Sequence, residues 1–364
     1  MSGPRKALPA VRGRGTAENP PNRFEPIEVE LDGDTLDADL LELGEVPSPR
    51  TVFLRDSTRT IIAYNDSPDI PFDASINPYR GCEHGCVYCY ARPFHEYLGF
   101  SAGLDFETRI LVKLDAARLL RHELAARAWR PQPIIVSGVT DAYQPIERKL
   151  ALTRACLAVL AEYRNPVSIV TKNHLVTRDI DLLRQLAAHD GVAVNLSVTS
   201  LRTDMQRVLE PRTSIPARRL DAIAQLARAG VPVGVLVAPV VPGLTDEELP
   251  AILKAAREAG AQWAGYTVLR LPRAVAGLFA NWLERHFPER AAKVLNRVRG
   301  MRGGKLDDAR FRRRMHAEGD MADQIRMLFR ASCRQLGFDR GAGPSLSAEY
   351  FRRPGGAAQQ SLFD

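Results

Sequence analysis

No run of about eighteen apolar residues occurs in this 364-residue chain, so no membrane-spanning helix is expected. The opening residues, Met1-Ser2-Gly3-Pro4-Arg5-Lys6, lack the apolar stretch of a secretory signal. Cysteine is scarce: five residues, an odd number, three of them clustered. That argues against a disulfide framework and for a reducing compartment, so the expected location is cytoplasmic. Acidic residues are outnumbered, 43 against 50 Lys and Arg, leaving a formal charge of +7 that is compatible with a polyanionic partner. What remains is a chain with 45% hydrophobic residues, enough for one large core with appendages.

The clustered cysteines sit in Asn77-Pro78-Tyr79-Arg80-Gly81-Cys82-Glu83-His84-Gly85-Cys86-Val87-Tyr88-Cys89-Tyr90, spaced Cys-x3-Cys-x2-Cys. Thiolates are soft ligands that favour zinc or iron–sulfur clusters. A structural zinc site takes four ligands, and a four-iron cluster normally takes four thiolates. No fourth cysteine is near, since Cys156 and Cys333 lie far downstream. Three thiolates on a four-iron cluster leave one iron open, and an open metal position is where chemistry happens. His84 completing a zinc set is the competing reading, but it lies between the first two ligands and would have to fold back.

The chain divides by composition. Residues 1–50 form a leader with Arg5, Lys6, Arg12 and Arg14 among Gly and Pro, then an acidic run through Glu28, Glu30, Asp32, Asp34, Asp37 and Asp39. Such charge blocks are expected to be solvated and poorly ordered. A core over 51–274 opens with a short strand pair in Thr51 to Tyr64. A helix is expected from near Tyr90, after the cysteine loop (82–89). Strands are predicted at 76–79, 134–136, 167–171, 192–198, 231–237 and 263–269. Helices are predicted at 116–128, 150–163, 179–188, 217–229, 246–259 and 275–286. This alternation means βα units around a parallel sheet, with ligands bound at the strands' carboxyl ends. Six units are too few for the eightfold barrel. Residues 275–345 read as a basic helical extension in which His316, Met327, Phe329 and Cys333 belong to a packing helix, and 346–364 as a flexible tail.

The cysteine spacing, with Tyr88 just before the third thiol, resembles the motif of the radical SAM superfamily, and six βα units match its partial (β/α)6 barrel. The resemblance implies that Cys82, Cys86 and Cys89 hold a 4Fe-4S cluster whose open iron takes the amino and carboxylate groups of S-adenosylmethionine. Reductive cleavage then gives a 5′-deoxyadenosyl radical, and a reductant of flavodoxin or ferredoxin type is implied. The run Thr140-Asp141-Ala142-Tyr143-Gln144-Pro145-Ile146-Glu147 resembles the DNA repair photolyase branch, related to spore photoproduct lyase. Ser137, Thr140 and Asp141 stand where the family's Gly-Gly-Glu grips the methionine amino group. That triplet is absent, and a capped turn is the plain alternative. Lys172, ending the third strand, is the candidate for the methionine carboxylate, against an ordinary surface lysine. Ser197 with Asn195, on the face that also carries Thr199, is the candidate for the ribose, against a polar barrel lining. Tyr88 joins the cofactor set, and Val233 to Gly243 resembles the adenine-binding segment. Glu210 and Arg212 stay open between capping and anion contact. The lyase's hydrogen-donating cysteine near the second strand has no counterpart, since no cysteine lies between Cys89 and Cys156. Tyr88, Tyr90 and Tyr143 are available as radical relays or as packing.

Two features bear on the substrate. Arg297, Arg299, Arg302, Lys305, Arg310, Arg312, Arg313 and Arg314 would suit phosphate contacts or form a solvated face. The tail Gln359-Gln360-Ser361-Leu362-Phe363 resembles the peptide that docks on the replicative sliding clamp, with Gln360 in place of the usual leucine. The expected activity is therefore radical chemistry, of lyase or transferase type, on a nucleic-acid base. The alternatives are a small-molecule or protein substrate, or a metal-stabilised nucleic-acid-binding protein without radical chemistry.

Overall fold

β-branched runs bounded by turn residues set the architecture. The structure, a computed structural model, describes residues 10–24, 49–308, 310–338 and 343–354. Its strands are β1 (Val52–Arg55), β2 (Ile62–Tyr64), β3 (Ala74–Ile76), β4 (Tyr79–Arg80), β5 (Arg109–Val112), β6 (Ile134–Val136), β7 (Val167–Thr171), β8 (Val192–Ser197), β9 (Val233–Val240) and β10 (Ala264–Val268). The α-helices are α1 (Leu104–Thr108), α2 (Ala116–Ala125), α3 (Glu147–Leu150), α4 (Leu152–Tyr163), α5 (Ile180–Ala187), α6 (Thr203–Leu209), α7 (Pro216–Arg228), α8 (Leu249–Glu258), α9 (Ala274–His286), α10 (Pro288–Gly300) and α11 (Asp320–Leu336).

Seven strands form one sheet in the order β10-β9-β8-β7-β6-β3-β2. From β3 to β10 every pair in it is parallel and follows the chain order, which is the six-unit α/β core that the alternation predicts. Apolar side chains of β6 to β10 and of α2, α4, α7 and α8 fill the main core. A second apolar cluster, around Phe279 and Trp282 of α9, takes in Cys86, Val87 and Tyr88 from the cysteine loop. The loop is therefore anchored by its own apolar residues. Among the described residues no helix is long and apolar enough to cross a membrane.

The structure departs from the expected elements at five places. The first expected strand, 76–79, is split. β3 pairs with β6, whereas β4 turns away to join a small sheet ordered β1-β5-β4. Pro78 has no N–H to give a ladder, and Asn77 accepts instead from the Val139 N–H at 3.0 Å. The two strands of Thr51 to Tyr64 do not pair with each other, because β1 lies beside β5 and β2 beside β3. The helix expected near Tyr90 is a 3-10 turn, Arg92–Leu98, with Pro93 inside it and Gly99 ending it in the left-handed region. In the leader, residues 10–24 are packed, with Val11 and Thr16 buried. The acidic run and the tail Gln359 to Phe363 lie outside the described residues. In α11 Cys333 is buried and Phe329 meets Tyr266, but Met327 faces solvent and His316 precedes the helix.

Candidate active site at the cysteine loop

Gly81 and Gly85 give the loop between β4 and the 3-10 turn its left-handed bends, with φ of 80° and 67°. Arg92, fully buried, holds the centre of the loop. Its Nε and one terminal nitrogen donate to the Cys86 carbonyl at 3.0 and 2.9 Å, and it ion-pairs with Glu107 at 2.6 Å. The same carboxylate accepts from the Gly15 and Thr16 N–H groups at 3.0 and 3.1 Å, which clamps the packed leader segment over the loop.

The other flank is held by the run after β6. Gln144 accepts from the Glu83 N–H at 2.9 Å and donates to the Gly81 carbonyl at 3.2 Å. Glu83 accepts from the Ile146 N–H at 2.8 Å. His84, buried, lies 3.3 Å from Asp141 through Nδ1 and 3.2 Å from the Asn173 side-chain amide through Nε2. A proton on Nδ1, donated to Asp141, satisfies both contacts. Neither ring nitrogen is left for a metal, which removes the basis for a Cys3His zinc site.

The three thiols are unpaired; Cys82 and Cys86 are buried and Cys89 is half-buried. Burial pushes all three above the ordinary thiol range. Asp141 adds to this at Cys82 and Glu210 at Cys86, whereas Arg92 opposes it at Cys89. Thiolates here need a cation, and a bound metal is the strongest one available. Among the described residues no three His, Cys, Asp or Glu side chains converge as on a single ion. A cluster spreads its ligands over several metal atoms, so three soft, separated donors on a fixed loop fit an iron–sulfur cluster better than zinc.

Facing the thiols is a polar floor from the strand ends. Lys172, just after β7, donates through Nζ to Ser197 Oγ at 2.6 Å and the Ala238 carbonyl at 2.9 Å, and lies 3.4 Å from Glu210. Its charge opposes the upward push on Cys86 and Cys89, and Nζ lies 5.7 Å from the centre of the Tyr88 ring. Tyr88 donates to Glu210, as does Thr199 at 2.7 Å, and Glu210 pairs with the buried Arg219. Burial would raise the Glu210 carboxyl. Arg219 and then Lys172, with the two hydroxyls, instead hold it well below the usual carboxylate range.

Thus Tyr88, Lys172 and Ser197 come together beside Cys86 and Cys89. Asp141 lies by Cys82, engaged by Thr171 Oγ1, the Lys172 N–H and the Tyr143 N–H at 2.8, 2.8 and 2.9 Å. Thr140 donates to the Tyr79 carbonyl at 2.9 Å, and Ser137 Oγ accepts from the Ala142 N–H at 2.8 Å. Asn195, one pleat back from Ser197, accepts from Trp263 Nε1 at 2.8 Å. These four side chains hold the turn, the loop and the barrel wall. Sequence reasoning passed over Arg92, Glu107 and Arg219. Arg219 was findable: it shares the face of Ala222, Ile223 and Leu226, all buried on α7.

Comparison with known proteins agrees with this geometry. Residues 76–256 match the family model of the Radical SAM superfamily. An uncharacterized protein of Mycobacterium tuberculosis is 40% identical over 222 residues, 60% of this chain and 65% of that one. One of Methanocaldococcus jannaschii is 30% identical over 173 residues, 48% of this chain and 62% of that one. The chain thus matches less than two thirds of these relatives' own length. Two solved structures share the fold at a TM-score of 0.53. One is a spore photoproduct lyase mutant, 17% identical, covering 84% of this chain and 91% of that one. The other is spore photoproduct lyase complexed with dinucleoside spore photoproduct, 19% identical, covering 80% of each chain. Residues 76–256 of the chain are a radical SAM domain.

Proposed function

We propose that this protein is an enzyme that holds a 4Fe-4S cluster on Cys82, Cys86 and Cys89, binds S-adenosylmethionine over the Lys172–Ser197–Tyr88 floor, and acts on a nucleic-acid base. The observation that carries this reading is the set of three unpaired thiols on a loop fixed by Arg92, Gln144 and the Asp141–His84 pair, with the Lys172 cation facing two of them. The bound cluster and cofactor would supply reductive cleavage of the sulfonium. The chain's own part is to hold and to shield. Lys172 offers its ammonium to the methionine carboxylate. Ser197 offers a hydroxyl, and Glu210 keeps the ammonium in place. Arg92 and Glu107 keep the loop's backbone still while the cluster is assembled. Support for a nucleic-acid substrate comes from the +7 charge and from the fold shared with a lyase whose solved complex holds a dinucleoside photoproduct.

Anaerobic reconstitution with iron and sulfide, followed by dithionite and S-adenosylmethionine, tests the reading. Wild type is expected to bind about four irons and to release 5′-deoxyadenosine, and Cys86→Ala to do neither. Zinc uptake without deoxyadenosine would sink it.

A further inference from the structure

The large aromatic side chains left exposed are unevenly placed. Tyr64, Tyr90, Phe94, Tyr97 and Phe311 all line one cleft of about 560 Å3, which opens beside Gly138 at the end of β6 and next to the cysteine loop. Tyr64, Tyr97 and Phe311 keep 71%, 64% and 59% of their surface in solvent. Phe24 extends the patch by packing on Tyr97, ring centres 4.8 Å apart. Guanidinium groups lie against these rings: Arg23 at 4.9 Å from Phe24, and Arg314 at 4.6 Å from Phe311. Both of those arginines have acidic partners, Glu96 and Asp69. Arg270 differs. It is half-buried in the cleft wall and donates to Met315 Sδ at 2.7 Å. Among the described residues no carboxylate lies within ion-pair distance of it.

Exposed rings gathered in one cleft mark a binding surface. Flat rings with cations beside them accept the π-face of any base. Although Asp307 lines the same cleft, a cation with no carboxylate in ion-pair contact has donors free for a phosphate. We propose that this cleft binds single-stranded nucleic acid, with unpaired bases stacked on the Phe94–Tyr97–Phe24 group and on Phe311, and a backbone phosphate on Arg270. The inference rests on the proposed function and narrows its substrate to bases already out of a duplex. Inside a duplex both faces of a base are covered by its neighbours, so it reaches the rings of a cleft wall only after being flipped out at an unstacking cost that a single strand does not carry.

Fluorescence anisotropy of full-length protein with a labelled single strand of about 12 nucleotides, and with the same strand in a duplex, tests this without cluster or cofactor. The single strand should bind at least about tenfold more tightly, and Phe94→Ala or Tyr97→Ala should weaken it about tenfold each. Arg270→Gln should cut the slope of log affinity against log salt by about 0.7, with Arg270→Lys restoring it. Both rings are exposed, and circular dichroism would confirm that the variants fold. Duplex binding equal to single-strand binding, or single-strand binding that the ring and Arg270 variants leave unchanged, overturns the inference. In either case deoxyadenosine formation would still stand for the enzyme. Binding of neither form overturns the nucleic-acid reading as well.

Discussion

A buried charge pair and a buried neutral histidine flank the loop that carries the thiols. Arg92 and Glu107 are both fully buried, and each is saturated with partners: four backbone carbonyl contacts on one side, the leader's N–H groups on the other. Removing either would leave an uncompensated buried charge, which typically costs about 3–5 kcal/mol. His95 supports the same loop from below, packed edge-on against Phe106, and its Cε1 would lie 3.1 Å from a Cβ on Gly81. Burial lowers its pKa to about 4. In the unfolded chain the imidazole titrates near its ordinary value of about 6.5, so the unfolded state binds the extra proton between the two values. Stability from this group is therefore complete above about pH 6.5 and is lost as the pH falls toward about 4. His95→Gln should flatten that acid slope. Urea midpoints at about pH 7.5 and about pH 5 should differ less in the variant than in wild type. An unchanged difference would show that other groups set the acid sensitivity.

At the level of elements, the leader segment 10–24 acts as a cap on the cysteine loop. A Cβ on Gly15 would stand 1.7 Å from the Gly85 carbonyl oxygen, so only glycine lets the two backbones touch. Gly15→Val should lift the segment while leaving the barrel folded, at a cost of about 1–3 kcal/mol. The expected signs are faster alkylation of the loop thiols and faster proteolysis within residues 10–24. If neither changes, the segment does not shield the loop. The parallel strands β6 to β10 were legible because each is a largely apolar run between helices of regular period. β3 was misplaced because Ala74-Ser75-Ile76 carries a single β-branched residue and follows another strand. The strand β5 and the cap were not legible, because their partners are distant in sequence: β5 pairs with β1 and β4, and Thr16 binds Glu107. The thiols declared themselves by spacing alone. The run Asp141 to Glu147 was legible as important but not as to its task, which in the structure is to clamp the loop through Gln144 and Asp141.

Over the whole molecule, an excess of positive charge says little until each cation's partner is known. The basic run of the C-terminal third reads in sequence as a free surface for phosphates. In the structure Arg297 faces Asp246 at 3.6 Å, and Arg302 donates to the carbonyls of Leu269, Arg314 and His316. Arg310 pairs with Asp308, Arg313 with Glu318 and Arg314 with Asp69, at 2.7, 2.6 and 2.6 Å. Of these, the Arg302 and Arg314 bonds tie residues 301–308 and 310–319 to Leu269 and Asp69, and Phe311 and Arg314 become cleft wall. Exposed, paired charges contribute little net field at a distance once salt screens them. The double variant Arg310→Gln, Arg313→Gln is therefore expected to bind a single strand within about threefold of wild type. Arg270→Gln, one charge fewer but an unpaired one, should cost more. Anisotropy titrations at two salt concentrations compare the two directly. If the double variant loses more affinity and more salt dependence than Arg270→Gln, the phosphate contact lies on the 310–314 turn and not in the cleft.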